Sequence, residues 1–189
     1  MKLSIQNYNN ILSNNHNIAF TNLKDASKKS LLDFVSNKDF LPEIVSYDTG
    51  INDFRLKSLI VQKRNKMIPQ SPVPPEYTYI DKYGITRLKP HLYIKEIIVK
   101  PEFLRQGVCR DAEKKIVQLS KDAGFEGRVL LDSAPIRGTE AYIPNPTLAH
   151  WANGFRFYCS NATKQMLDAL NGKSQIKFGP GGCMYYPII

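Results

Sequence analysis

Six consecutive residues, Leu104-Arg105-Gln106-Gly107-Val108-Cys109, followed by Arg110, carry the first chemical signal in this chain. They join a β-rich run to an amphipathic one, so their backbone N–H groups lead into the first turn of a helix. Donors there have no partner within the helix and sit at its partially positive end, which suits a phosphate. Gly107 removes a side chain where a pyrophosphate or ligand backbone would approach, and Arg105 and Arg110 add full positive charge nearby. An ordinary strand-to-helix connection with a glycine turn would read the same way.

The elements on either side must hold that turn. Tyr93 to Val99 is dense in aromatic and β-branched residues, which suit a pleated surface, and Pro101 then denies the ladder a donor and ends the strand. From Val108 the apolar residues fall at Ala112, Ile116, Leu119 and Ala123, one face of a helix that Gly124 closes. Arg110, Asp111, Glu113, Lys114, Lys115, Gln118 and Lys121 are expected on the opposite face, toward water.

This stretch, with Val99, Pro101, Gly107 and Cys109 in their spacing, resembles the acyl-CoA-binding motif of the GNAT acyltransferase superfamily, written Gln/Arg-x-x-Gly-x-Gly/Ala. Leu104 stands at the Gln/Arg position and Cys109 at the final Gly/Ala position, both departures from the pattern. Downstream, Ala149-His150-Trp151-Ala152-Asn153-Gly154-Phe155 is similar to the family's Leu-Tyr-x-Lys-x-Gly-Phe segment, in the order and separation the family shows. The resemblance covers roughly 93–155.

What the resemblance implies is an α/β single-domain fold. A mixed, mostly antiparallel central sheet would splay at the cofactor site and carry helices on both faces. Acetyl-CoA or another acyl-CoA would serve as co-substrate, with no metal. Main-chain amides from Leu104 through Arg110 would hold the pyrophosphate. Ile98 and Val99 would flank the thioester, whose carbonyl the Val99 amide polarises, and Asn145 could bond the pantetheine amides. The family's strand base falls on Tyr93. A phenol with an ordinary pKa of about 10 is a poor direct base and would act through ordered water. Glu96 is the rival, placed on the opposite face by the two-residue period. His150 replaces the tyrosine that protonates coenzyme A, and an imidazole can give that proton or take one from the amine.

A length of 189 residues suits one core, and 42% hydrophobic with 23% charged residues describes a globular chain. No run approaches a membrane span, and the N-terminus MKLSIQNYNN lacks an apolar signal core, so a cytoplasmic protein with no membrane partner is expected. Cys109, Cys159 and Cys183 are an odd number without metal spacing, which predicts reduced thiols. The net charge of +9 predicts an anionic partner. Acyl-CoA phosphates would answer part of it and tRNA more. Three functions are compatible with these residues: an N-acyltransferase acting on an amine of a small molecule, peptide or protein; a GNAT toxin acetylating aminoacyl-tRNA; or a non-catalytic acyl-CoA-binding module. Oligomeric state is open.

Along the chain, an Asn-rich arm covers about 1–22, and helical patterns fall at Asp25–Val35 and Asn52–Met67. The second helix would present Arg55, Lys57, Lys63, Arg64 and Lys66 as a basic face. Leu41–Tyr47 reads as a short strand, and PQSPVPP as a stiff loop. Glu76–Asp81 and Ile85–Leu88 flank a turn at Lys82-Tyr83-Gly84 and form a hairpin. Later come strands at Arg128–Asp132, Phe155–Tyr158 and Cys183–Ile188, a pocket-rim loop before Pro146, and helices at Pro146–Asn153 and Asn161–Leu170.

Overall fold

The frame is set by side chains that alternate between two unlike faces. The computed structural model describes residues 41–133, 146–173 and 182–188, all within one compact unit, Leu41–Ile189. The expected arm, the Asp25–Val35 helix, the loop at 134–145 and Asn145 lie outside the described residues. Strands β1 (Glu43–Ser46), β2 (Leu56–Asn65), β5 (His91–Val99), β6 (Val129–Ser133) and β7 (Gly182–Tyr185) form one sheet in the order β1-β2-β5-β6-β7. Only β5 and β6 run parallel; the other neighbours are antiparallel. A separate hairpin pairs β3 (Thr78–Ile80) with β4 (Thr86–Leu88). Its turn is the expected one: Asp81 accepts the N–H groups of Tyr83 and Ile85 at 2.8 and 3.0 Å, and Gly84 takes φ 76°.

Helices α1 (Val108–Asp122), α2 (Pro146–Ala152) and α3 (Ser160–Leu170) complete the mixed α/β fold. α1 and α3 place Ile116, Val117 and Met166 in one core with Val61, Leu92, Ile94, Val129, Leu131 and Met184 of the sheet. Each fully buried aliphatic side chain there contributes about 1.5–3 kcal/mol. Helices on both faces were expected. Among the described residues the opposite face is covered instead by the hairpin and the turn before it, with Tyr77, Leu88 and Leu130 buried together. Tyr77 pins this cover, donating to the Tyr186 carbonyl at 2.6 Å and accepting from the Val129 N–H at 3.2 Å. No described helix is long and apolar enough to cross a membrane.

Two expected elements differ. Residues Asn52–Met67 are not a helix, because Leu56–Asn65 is a strand with both faces in use. Leu59 and Val61 belong to the helical core, whereas Arg64 lies on the hairpin face, its guanidinium 3.3 Å from the Tyr93 ring centroid. The basic run is therefore divided. Lys63 stacks over Phe125, Arg55 pairs with Asp53 at 2.7 Å, and Lys66 pairs with Glu43 at 2.7 Å. Apolar residues at 54, 56, 59, 60 and 67 mimic a helical stripe because a doubly covered strand need not alternate cleanly. The strand expected at Phe155–Tyr158 reduces to a single bridge, Arg156 with Tyr185.

Candidate active site

β5 and β6 are held together at one end only. Their register pairs Leu92 with Val129, Tyr93 with Leu130 and Ile94 with Leu131, and Lys95 to Val99 have no β6 partner among the described residues. On the other edge of β5, Ile60 lies opposite Glu96 while Val61 lies opposite Ile94, so Lys95 is the extra residue of a β-bulge. The bulge re-aims the residues beyond it. Ile94 and Ile97 both face the helical core, and Glu96 shares the face of its partner Ile60, as Tyr93 shares that of Gln62. Glu96 therefore lies on the same side of the sheet as Tyr93. The two-residue period fails here because one residue is inserted.

Beyond β5, a 3-10 turn at Pro101–Phe103 leads into the sharp bend that was expected to bind phosphate. Arg105 and Gly107 both take left-handed φ values, 64° and 78°. Gly107 caps α1, and the first bond of the ladder runs from the Asp111 N–H to the Gly107 carbonyl at 3.0 Å. The amides of Val108, Cys109 and Arg110 thus precede the ladder at the positive end of the helix. Arg105, Gln106 and Arg110 are exposed around them, while Leu104 is half-buried. Leu104 at the Gln/Arg position brings no donor, and Val108 behind the bend anchors it in the core.

His150 is presented by α2, whose end is tied by the Phe155 N–H bonding the His150 carbonyl at 3.0 Å and by Gly154 at φ 102°. Its Nδ1 meets Glu113 Oε1, and Asn153 Nδ2 donates to Glu113 Oε2. Cys109 adds its thiol to Oε1 at 3.5 Å. Glu113, expected to face water, is 1% exposed. It sits one turn after Cys109 and against α2, where His150 and Asn153 answer it. Burial, with the Glu113 carboxylate next, pushes the Cys109 thiol far up and keeps it protonated.

Tyr93 belongs to a second network on the hairpin face. Its hydroxyl donates to Asp132 Oδ2 at 2.7 Å, and Arg64 covers its ring. Burial first, and then Asp132 beside it, push the Tyr93 phenol up to about 12. A cleft of about 240 Å³ opens here, lined by Arg64, Met67, His91, Tyr93, Asp132 and Cys183 among others. Burial drops His91 to about 4, and its Nδ1–H bonds the Lys89 carbonyl at 2.8 Å. Cys183 is raised to about 12 by burial and Asp132. All three cysteines are free.

No family model matches the chain, and neither does any curated protein.

The structure brings Tyr93 and Glu96 to one face and ties His150 to Glu113 elsewhere. Sequence reasoning missed Glu113, Asn153, Asp132 and Arg64. One signal was available: Cys109 and Glu113 at i, i+4 and His150 and Asn153 at i, i+3 are two polar pairs, each on one helical face. Cys109, Glu113 and His150 offer donor atoms within 4.8 Å of one another, types that zinc accepts. Glu113 already lies within hydrogen-bonding distance of Asn153 Nδ2, His150 Nδ1 and the Cys109 thiol, so hydrogen bonding by itself gives the cluster a sufficient explanation.

Proposed function

We propose that this chain is an acyl-CoA-dependent N-acyltransferase with a GNAT-like fold, using acetyl-CoA as donor. The observation that carries it is the strand–turn–helix unit. A parallel strand pair parts after Ile94, and the strand that continues feeds a left-handed bend whose amides open a helix. In this reading an extended thioester arm enters where the β5–β6 pairing ends, alongside Ile98 and Val99. The amides of Val108 to Arg110, with Arg105 and Arg110, suit the anionic end.

The reaction needs a neutral amine, a polarised carbonyl and a proton for the leaving sulfur. The acceptor nitrogen attacks the thioester carbon, the Val99 amide steadies the oxyanion, and the C–S bond then breaks with its electron pair going to sulfur. Tyr93, with a phenol near 12, serves as a hydrogen-bond donor and not as a base. Glu96, on the same face, takes the amine proton through water. His150 supplies the proton that converts the thiolate to free coenzyme A.

Arg55 and Lys66 pair with acids, and Lys63 and Arg64 stack on rings, so the basic run gives the aminoacyl-tRNA reading no specific support. An acceptor screen reporting thiol release from acetyl-CoA, run with amines, peptides and charged tRNA, tests the proposal. Calorimetry runs beside it. Binding without turnover would make the chain a binding module, and no binding would sink the reading. A tRNA-dependent, salt-sensitive thiol release would choose the toxin instead.

A further inference from the structure

A carboxylate that is 1% exposed carries a large desolvation penalty unless donors surround it. Three polar groups reach Glu113: His150 Nδ1 and the Cys109 thiol at Oε1, and Asn153 Nδ2 at Oε2. We propose that Glu113 is a positioning residue that holds His150 in its Nδ1–H tautomer and leaves Nε2 as its working nitrogen. The proposal rests on the transferase reading for what that nitrogen does, and on the structure for how it is aimed.

Proton counting assigns the tautomer. The Asn153 Nδ2 group has only hydrogens to offer Oε2, and the Cys109 thiol lies 3.5 Å from Oε1 in a donating geometry. Donors at both oxygens favour the ionised carboxyl, which can only accept, and with that form the hydrogen in the His150–Glu113 bond belongs to Nδ1. The ring stands edge-on to Phe155 with centroids 6.2 Å apart. Two elements therefore fix its plane: α1 through Glu113, and the segment after α2 through Phe155.

With Nδ1 committed, Nε2 alone can exchange protons. The proton that Glu96 takes from the acceptor amine passes on through water to Nε2 and makes an imidazolium that the Glu113 carboxylate stabilises without taking the Nδ1 proton. As the C–S bond breaks, the thiolate takes the Nε2 proton. Amine and acyl-CoA become amide and free thiol, and the imidazole returns neutral.

The test uses the full chain labelled with 15N-histidine, with His150 assigned by difference from His150→Phe. At alkaline pH the wild-type signal should show Nδ1 protonated and Nε2 bare. Glu113→Gln should shift it toward Nε2–H, lower kcat by about 10- to 100-fold and leave KM for acetyl-CoA unmoved. The same change in a His150→Phe background should cost nothing further in kcat. An Nε2–H tautomer in the wild type would overturn the proposal. So would an equal fall of kcat in both backgrounds, or one equivalent of transition metal in the purified protein. Absence of thiol release in the wild type would sink the transferase reading alone, and the tautomer would still decide for or against Glu113.

Discussion

Two pairs of ring and carboxylate lie on opposite sides of one sheet, and they behave differently because one carboxylate is buried and the other is not. Glu113 is closed off between α1 and α2 and collects three donors. Asp132 is exposed at the end of β6 and receives the Tyr93 hydroxyl. In the first pair the carboxylate aims an imidazole. In the second it helps burial keep a phenol protonated. A carboxylate beside a ring is therefore not one device but two. Which one it becomes is set by the ring's own proton and by how much water reaches the pair.

The largest way to break this contrast is to empty the buried side. Glu113→Ala leaves the His150 and Asn153 donors without an acceptor inside the protein, and each stranded group costs about 1–3 kcal/mol. Urea denaturation should show a loss of about 3 kcal/mol or more, and Asp132→Ala should lose less than about 1 kcal/mol. Equal losses would mean that burial does not separate the pairs. A second large effect comes from His91, near the Tyr93–Asp132 pair. Its folded pKa of about 4 lies below the unfolded value, so the neutral form is favoured on folding. That contribution is complete above about pH 6.5, declines as the unfolded chain protonates, and is gone near pH 4. It amounts to about 3 kcal/mol at most. His91→Gln should flatten the stability profile between those limits, and an unchanged slope would show that His91 does not control it.

How much of this is legible in the sequence depends on what kind of order each residue obeys. The bend at Gly107, the helix from Val108, the turn at Gly84 and the strand at Val129 follow local rules, and each lies where those rules put it. Leu56–Asn65 has the pattern of a helix because its two faces meet different covers, one a hydrophobic core and the other the Tyr93 ring. Simple alternation puts Glu96 on the wrong face because a bulge is a property of a pair of strands, and Lys95 alone does not announce it. Glu113 looks solvent-facing in the sequence because its burial depends on α2, some thirty-seven positions away, supplying donors. Two of the departures from the expected motifs, Cys109 and His150, touch the same buried carboxylate.

Smaller tests sharpen the comparison from the cofactor side. Gly107 at φ 78° is a left-handed position, and a Cβ there would lie 3.0 Å from the Arg110 guanidinium. That contact is with the end of a flexible side chain, which can swing away, so the backbone term remains. Gly107→Ala should cost about 1–2 kcal/mol in stability. In calorimetry it should weaken acetyl-CoA binding while leaving the His150 tautomer as in the wild type. A changed tautomer would couple the bend to the buried pair and deny that Glu113 alone sets the ring.

The least disruptive change tests the exposed pair itself. Asp132→Asn keeps the side chain's shape and an acceptor oxygen, and removes the charge that, after burial and the hydrogen bond to Asp132, opposes ionisation of Tyr93. The phenol pKa should fall from about 12 toward, but not to, its ordinary value, because burial is the larger cause and is untouched. Site-resolved tyrosine NMR across the alkaline range reads this directly, with stability changed by less than about 0.5 kcal/mol. A phenol that does not move would leave burial and the hydrogen bond as the causes and reduce Asp132 to a hydrogen-bond acceptor. A phenol that drops fully to about 10 would mean that water reaches the Tyr93 ring more freely than its cover by Arg64 allows.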